Sequence, residues 1–216
     1  MPLISPAEAM RRHPKTAGGV GIAAIIAAAL AGVYVNEGGY ADHPNDRGGK
    51  TMYGVTEKVA REYGYRGEMR VFPKHCSATA PVCADRIYTD SYIEKPGFMP
   101  MAAIEPAVLD ELVDSAVLHG PARPSRWFHL AINAECRTQF AVPRRVDAET
   151  IVAFRICAEN VGKGRLCVRV LDRMDAAQEA FFRSLVANRP SQRVFLKGWL
   201  RMRVGNVDRT KCGKGL

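Results

Sequence analysis

Residues 36–56 read NEGGYADHPNDRGGKTMYGVT, and this stretch decides the fold. An apolar run ends just before it, and Gly38-Gly39 supply a left-handed C-cap, so a helix terminates at about Glu37. His43-Pro44-Asn45-Asp46 makes a turn, and Gly48-Gly49 marks a second. Lys50 to Val55 alternates polar and larger residues and predicts a short strand. The unit is a helix, a turn and a small hairpin, with one carboxylate at the helix end and another in the loop.

The two carboxylates meet different surroundings. Glu37 follows a wholly apolar segment, where desolvation favours the protonated acid. Asp46 sits in a polar, glycine-rich turn and stays ionised. Cleavage of a glycosidic bond needs that pair: one carboxyl protonates the leaving oxygen, the other activates water or stabilises the oxocarbenium-like state. Thr51, on the neighbouring strand, is placed to position a water. Tyr40 and Tyr53 flank the hairpin as candidate substrate-binding residues.

The spelling E-G-G-Y at 37–40, followed by D-R-G-G-K-T-x-Y-G-V at 46–55, closely resembles glycoside hydrolase family 108, lysozyme-like enzymes of phages and bacteria. Eight residues separate Glu37 from Asp46, similar to the Glu–Asp–Thr triad of phage lysozymes, whereas the Asp-to-Thr interval is one residue shorter. Downstream, Asp114 to Pro121, Arg123 to Phe128, Val146 to Thr150 and Lys197 to Arg201 resemble later landmarks, with Leu118 standing where an Asn is expected.

The resemblance implies a mainly α, lysozyme-like two-lobed fold with a small β-hairpin next to the catalytic Glu, preceded by an N-terminal apolar helix. It implies N-acetylmuramidase activity on the MurNAc–GlcNAc β-1,4 bond of peptidoglycan, as in a phage endolysin. Glu37 would be the acid, Asp46 the base or electrostatic partner and Thr51 the water-positioning residue, with no metal or cofactor. Two other activities stay open: a lytic transglycosylase, and a non-catalytic wall-binding or secretion-assisting protein attached to the membrane.

Residues 17–35 carry no charge. As a helix rising ~1.5 Å per residue they would span roughly 28 Å, close to the ~30 Å of a hydrocarbon core. Arg11, Arg12 and Lys15 precede them and would hold that end in the cytoplasm. Seven of these residues are Ala and four are Gly, a composition only marginally stable in lipid. Three fates compete: cleavage near Ala29-Leu30-Ala31, permanent anchoring, or temporary anchoring followed by release into the folded domain. Glu37 lies two residues beyond the segment and favours the third. That course resembles signal-arrest-release endolysins, with transient attachment to the inner membrane and export to the host periplasm. No cysteine precedes Cys76, which excludes a thiol switch in the anchor. The expected division is 1–35 for tail and anchor, 36–104 for the catalytic lobe, and 105–216 for a helical, peptidoglycan-binding-like lobe of a monomer.

A net charge of +9 suits a polyanionic partner. Nucleic acid is disfavoured, because no zinc-finger spacing, RNP-like aromatic pattern or Arg-rich helix is present. Six cysteines lack any C-x-x-C pair and read either as disulfides in an exported chain or as buried thiols, with Cys76 and Cys83 the best local bridge. Helical periodicity predicts helices over 105–119, from Asp147 through Ile156, over 165–188 and near 191–204. Trp127 and Trp199 read as core residues, His119 and His129 as capping or surface groups.

Overall fold

The computed structural model describes residues 18–37, 39–42 and 49–215, side chains at 18–20, 36 and 37 excepted. Arg11, Arg12, Lys15 and Asp46 lie outside the described residues.

The apolar N-terminal segment forms helix α1, Gly18–Glu37. It has no polar face, and size sorts its side chains instead. Ile22, Ile25, Ile26, Ala29, Leu30, Val33 and Tyr34 recur at helical spacing and turn inward, with Leu30 and Val33 each only 3% exposed. Ala23, Ala24, Ala27, Ala28, Ala31 and Gly32 face water. Small side chains expose little apolar area, so this face is cheap to solvate. The expectation of a membrane-spanning helix is corrected here: among the described residues no helix is long and apolar enough to cross a membrane. Apart from the exposed Val35, the described bulky side chains that would drive insertion pack in or against the protein core. Leu30→Ala is therefore expected to cost about 3 kcal/mol in a urea melt, whereas Ala27→Gln stays within about 0.5 kcal/mol.

The predicted strand over 50–55 is a complete hairpin. Strand β1, Thr51–Met52, pairs antiparallel with β2, Val55–Thr56, and Met52 faces Val55 across a two-residue turn. Tyr53 and Gly54 both have positive φ, 52° and 75°, the signature of a turn whose twist matches the strands. Helix α2, Glu57–Glu62, follows at once, capped by the Thr56 hydroxyl accepting from Val59 N–H. Helices α3, Ala84–Thr89, and α4, Met101–Ile104, complete this half, with a π turn over Asp90–Glu94 between them.

Helix α5, Pro106–His119, is the central post. Proline opens it and Gly120, at φ 77°, closes it. It packs on α1 and α4 on one side and on helices α6, Ala122–Cys136, and α8, Lys163–Asn188, on the other. Helix α7, Ala148–Val161, lies against α6 and α8 and begins at the predicted cap, where Asp147 accepts from the backbone and hydroxyl of Thr150. Helix α9, Arg193–Arg203, folds back on α8. One continuous apolar core runs from Leu30 to Val207.

Because α5 is buried nearly all round, its polar residues must find partners inside. Ser115 donates to Glu111 at 2.8 Å, and the Gln178 amide donates to Ser115 at 3.0 Å and to His119 Nε2 at 3.3 Å. His119 is not a surface cap. Its ring lies among Trp127, Phe181 and Phe182, and burial lowers its pKa to about 4. His129 is likewise interior, 1% exposed, with Nδ1 2.6 Å from the Ser125 carbonyl. Trp127 is core, as expected, at 8% exposure.

Three disulfides form: Cys76–Cys83, the expected local bridge, Cys136–Cys157 between α6 and α7, and Cys167–Cys212. The last ties down a strap, residues 204–215, that recrosses α5 and α8. Asp114 accepts from Arg203 and Asn206, Asp175 from the Gly205 N–H and Arg209, and Asp110 from Lys211. Glu105 accepts from the Gly213 N–H.

Candidate active site

Glu37 is the final residue of α1, as its sequence predicts. One helical turn earlier, Tyr34 fixes that end of the helix to the rest of the domain. Its hydroxyl donates to Asp85 at 2.7 Å, and its ring meets Tyr53 and Tyr88 edge-on at 6.2 and 5.6 Å between centroids. Burial, reinforced by the Asp85 carboxylate, pushes the Tyr34 phenol well above its ordinary pKa, so it remains a donor. The other Asp85 oxygen lies 2.8 Å from His75 Nδ1. The Lys74 ammonium sits 4.3 Å from the Tyr34 ring centroid and 5.9 Å from that of Tyr53.

The Cys76–Cys83 loop explains why these groups meet. Its disulfide closes the loop, while Ala84 N–H donates to the Pro73 carbonyl and Asp85 N–H to that of Lys74. Lys74 and His75 on one side and Asp85 on the other are thereby fixed beside the helix end. Sequence reading missed Tyr34, Lys74, His75, Asp85 and Tyr88. Tyr34 had a signal, as the lone polar-tipped residue of the apolar run and one turn before the Glu.

The hairpin forms the adjoining wall. Ala41 and Thr51 exchange backbone hydrogen bonds at 2.9 and 2.8 Å, closing the loop that contains Asp46. Thr51 is half-buried, and its hydroxyl donates to the Gly49 carbonyl at 3.2 Å. Tyr53 is held in its left-handed conformation by a hydrogen bond from the Tyr88 hydroxyl to its carbonyl, 3.0 Å. Tyr40 donates to Asp42 at 3.0 Å, and the Arg70 guanidinium lies 4.4 Å from its ring centroid. Thr51 and Tyr53 thus share one hairpin, and Tyr53 touches α1 through Tyr34. Tyr40 stands at the strand's outer end with its own partner, Arg70.

A helix ending at Glu37, a hairpin beside it and a mainly helical body are the arrangement expected from the sequence. Residues 30–120 match the model of the glycosyl hydrolase 108 family. Among solved structures it is similar to SagA of Brucella abortus, at 24% identity and a TM-score of 0.56, over 88% of this chain and 94% of that one. That likeness extends the shared fold through the C-terminal helices. No curated protein sequence matches the chain.

Proposed function

We propose that this chain is a glycosidase that cuts peptidoglycan at the β-1,4 bond between MurNAc and GlcNAc, as an endolysin exported to the host periplasm. The observation that carries the reading is the helix ending at Glu37, fixed through Tyr34 beside the Thr51 hairpin. Glu37 gives its proton to the leaving oxygen as the bond breaks. Asp46, in the loop closed by Ala41 and Thr51, directs a water to the sugar carbon or stabilises the positive charge developing there. Thr51 orients that water. The lysozyme resemblance favours inversion, with water arriving opposite the leaving group.

Two properties support the setting. Three disulfides suit an oxidising compartment. A charge of +9 suits an anionic envelope. Docking of α1 into the core, rather than residence in lipid, is the state that delivers Glu37 to its hairpin.

Product analysis tests the assignment. Digestion of purified sacculi followed by borohydride reduction is expected to give muramitol ends. Glucosaminitol ends would move the cut to the other glycosidic bond. Anhydro-muramoyl ends, a water lighter, would make the chain a lytic transglycosylase. An absence of soluble fragments would favour a non-catalytic role in wall binding or secretion.

A further inference from the structure

Helix α9 contributes no fully buried residue, yet it is held firmly on one side. Trp199, Leu196, Leu200 and Arg203 face the body, where the Trp199 ring stacks on Phe182 at 5.2 Å and Arg203 pairs with Asp114 at 2.6 Å. The outward half is divided lengthwise. At 100° per residue, Arg193, Lys197 and Arg201 fall on one strip, and Val194, Gly198, Met202 and Phe195 fall on the strip beside it. Val194 is 78% exposed, Met202 53% and Phe195 52%.

The charged residues of this helix and its flanks in the sequence have one sign. No Asp or Glu occurs from residue 180 to 207. Arg189, Arg193, Lys197 and Arg201 are exposed and make no ion pair with any described residue, whereas Arg183 and Arg203 are paired. At the junction with α8, an open concavity of about 430 Å³ has Arg183 and Arg193 on its wall and Val186, Ala187, Pro190 and Leu196 around them.

We propose that α9 docks on an anionic phospholipid bilayer, lying in the plane of the interface. Its cations meet lipid phosphates, and its apolar strip enters the headgroup–acyl boundary. Charge complementarity alone would also fit an anionic polymer, but Val194 and Met202 have nothing to offer one. An interface with a polar layer above an apolar one satisfies both strips at once. The surface lies on the opposite end of the chain from the Glu37 hairpin, and the proposal does not rest on which bond the enzyme cuts.

The test is flotation of the intact disulfide-bonded protein with phosphatidylcholine vesicles, with and without 30 mol% phosphatidylglycerol (about one lipid in three anionic, a surface dense enough to sense four cations). Binding to the anionic vesicles is expected to be at least tenfold stronger. K197E/R201E should reduce it about tenfold or more, and V194S/M202S should reduce it at unchanged salt dependence. Circular dichroism confirms that each variant is folded, and sacculus hydrolysis by V194S/M202S, which keeps the net charge and lies away from Glu37 in the chain, should be unchanged. Equal binding to both vesicle types overturns the proposal. So does anionic binding that V194S/M202S leaves intact, which would make the strip a simple polyanion contact, or a V194S/M202S defect that shows on sacculi and not on vesicles.

Discussion

Glu37→Gln is expected to leave the melting temperature and the three disulfides unchanged while slowing release of sugar ends from sacculi by roughly 10³-fold. Gln keeps the size of the carboxylic acid but has no proton to give the leaving oxygen. Glu37 ends a helix anchored by Leu30, Val33 and Tyr34, so the substitution does not disturb the packing that holds the helix. Asp46→Asn separates the chemistries. A hydrolase that depends on Asp46 to direct water should lose a comparable factor, and a transglycosylase should retain most of its rate. Wild-type turnover by the Glu37→Gln protein would take the acid role away from this residue altogether.

Glu111→Gln should remove a pH dependence of folding amounting to about 5 kcal/mol between pH 4.5 and pH 8. Glu111 is fully buried, and burial, with the nearby Asp175 carboxylate adding to it, raises its pKa to about 8. Between its ordinary value and 8 the folded protein holds a proton that the unfolded chain has released, so this group's contribution declines as pH rises. His119 acts in the opposite sense, because its folded pKa of about 4 lies below the unfolded value. From pH 4 to 6.5 the unfolded chain binds the extra proton there, and stability rises with pH. The two slopes cancel over much of the acidic range and leave Glu111 alone above pH 6.5. Wild type should therefore lose roughly 2 kcal/mol from pH 6.5 to 8 in urea melts. The Glu111→Gln protein should climb to pH 6.5 and then stay level. A wild-type curve that is flat or rising from 6.5 to 8 would contradict the buried acid.

Local features were legible from the sequence because their causes are local. The helix end at Glu37, the Asp147 cap, the Pro106 start and the Cys76–Cys83 bridge each depend on neighbours within a few residues. The hairpin was half legible: Tyr53-Gly54 is itself a turn signal, but the alternation of 50–55 suggested one strand rather than two halves. Helix α1 was read by polarity, and no polarity contrast exists along it. The contrast that places it is volume, with Ile, Leu, Val and Tyr recurring every three or four positions among Ala and Gly. The histidines were misplaced for a related reason. An imidazole looks like a surface group until three aromatic rings, separated from it by up to 63 residues, close around it. The wall of Lys74, His75 and Asp85 depends on a disulfide-closed loop meeting α1, which no local pattern reveals. The hairpin positions of Thr51 and Tyr53 were legible because both lie within the motif itself.

The strap over α5 bears on timing. Asp110 and Asp114, on the post that supports α1, acquire their partners Lys211, Arg203 and Asn206 only when the chain has been made 89 to 101 residues further. Cys167 must also wait, 45 residues, for Cys212. A chain still emerging therefore carries Glu37 from the start but lacks the clamps on the helix behind it. Synthesis order alone postpones a finished domain until residues 203–212 are free to fold.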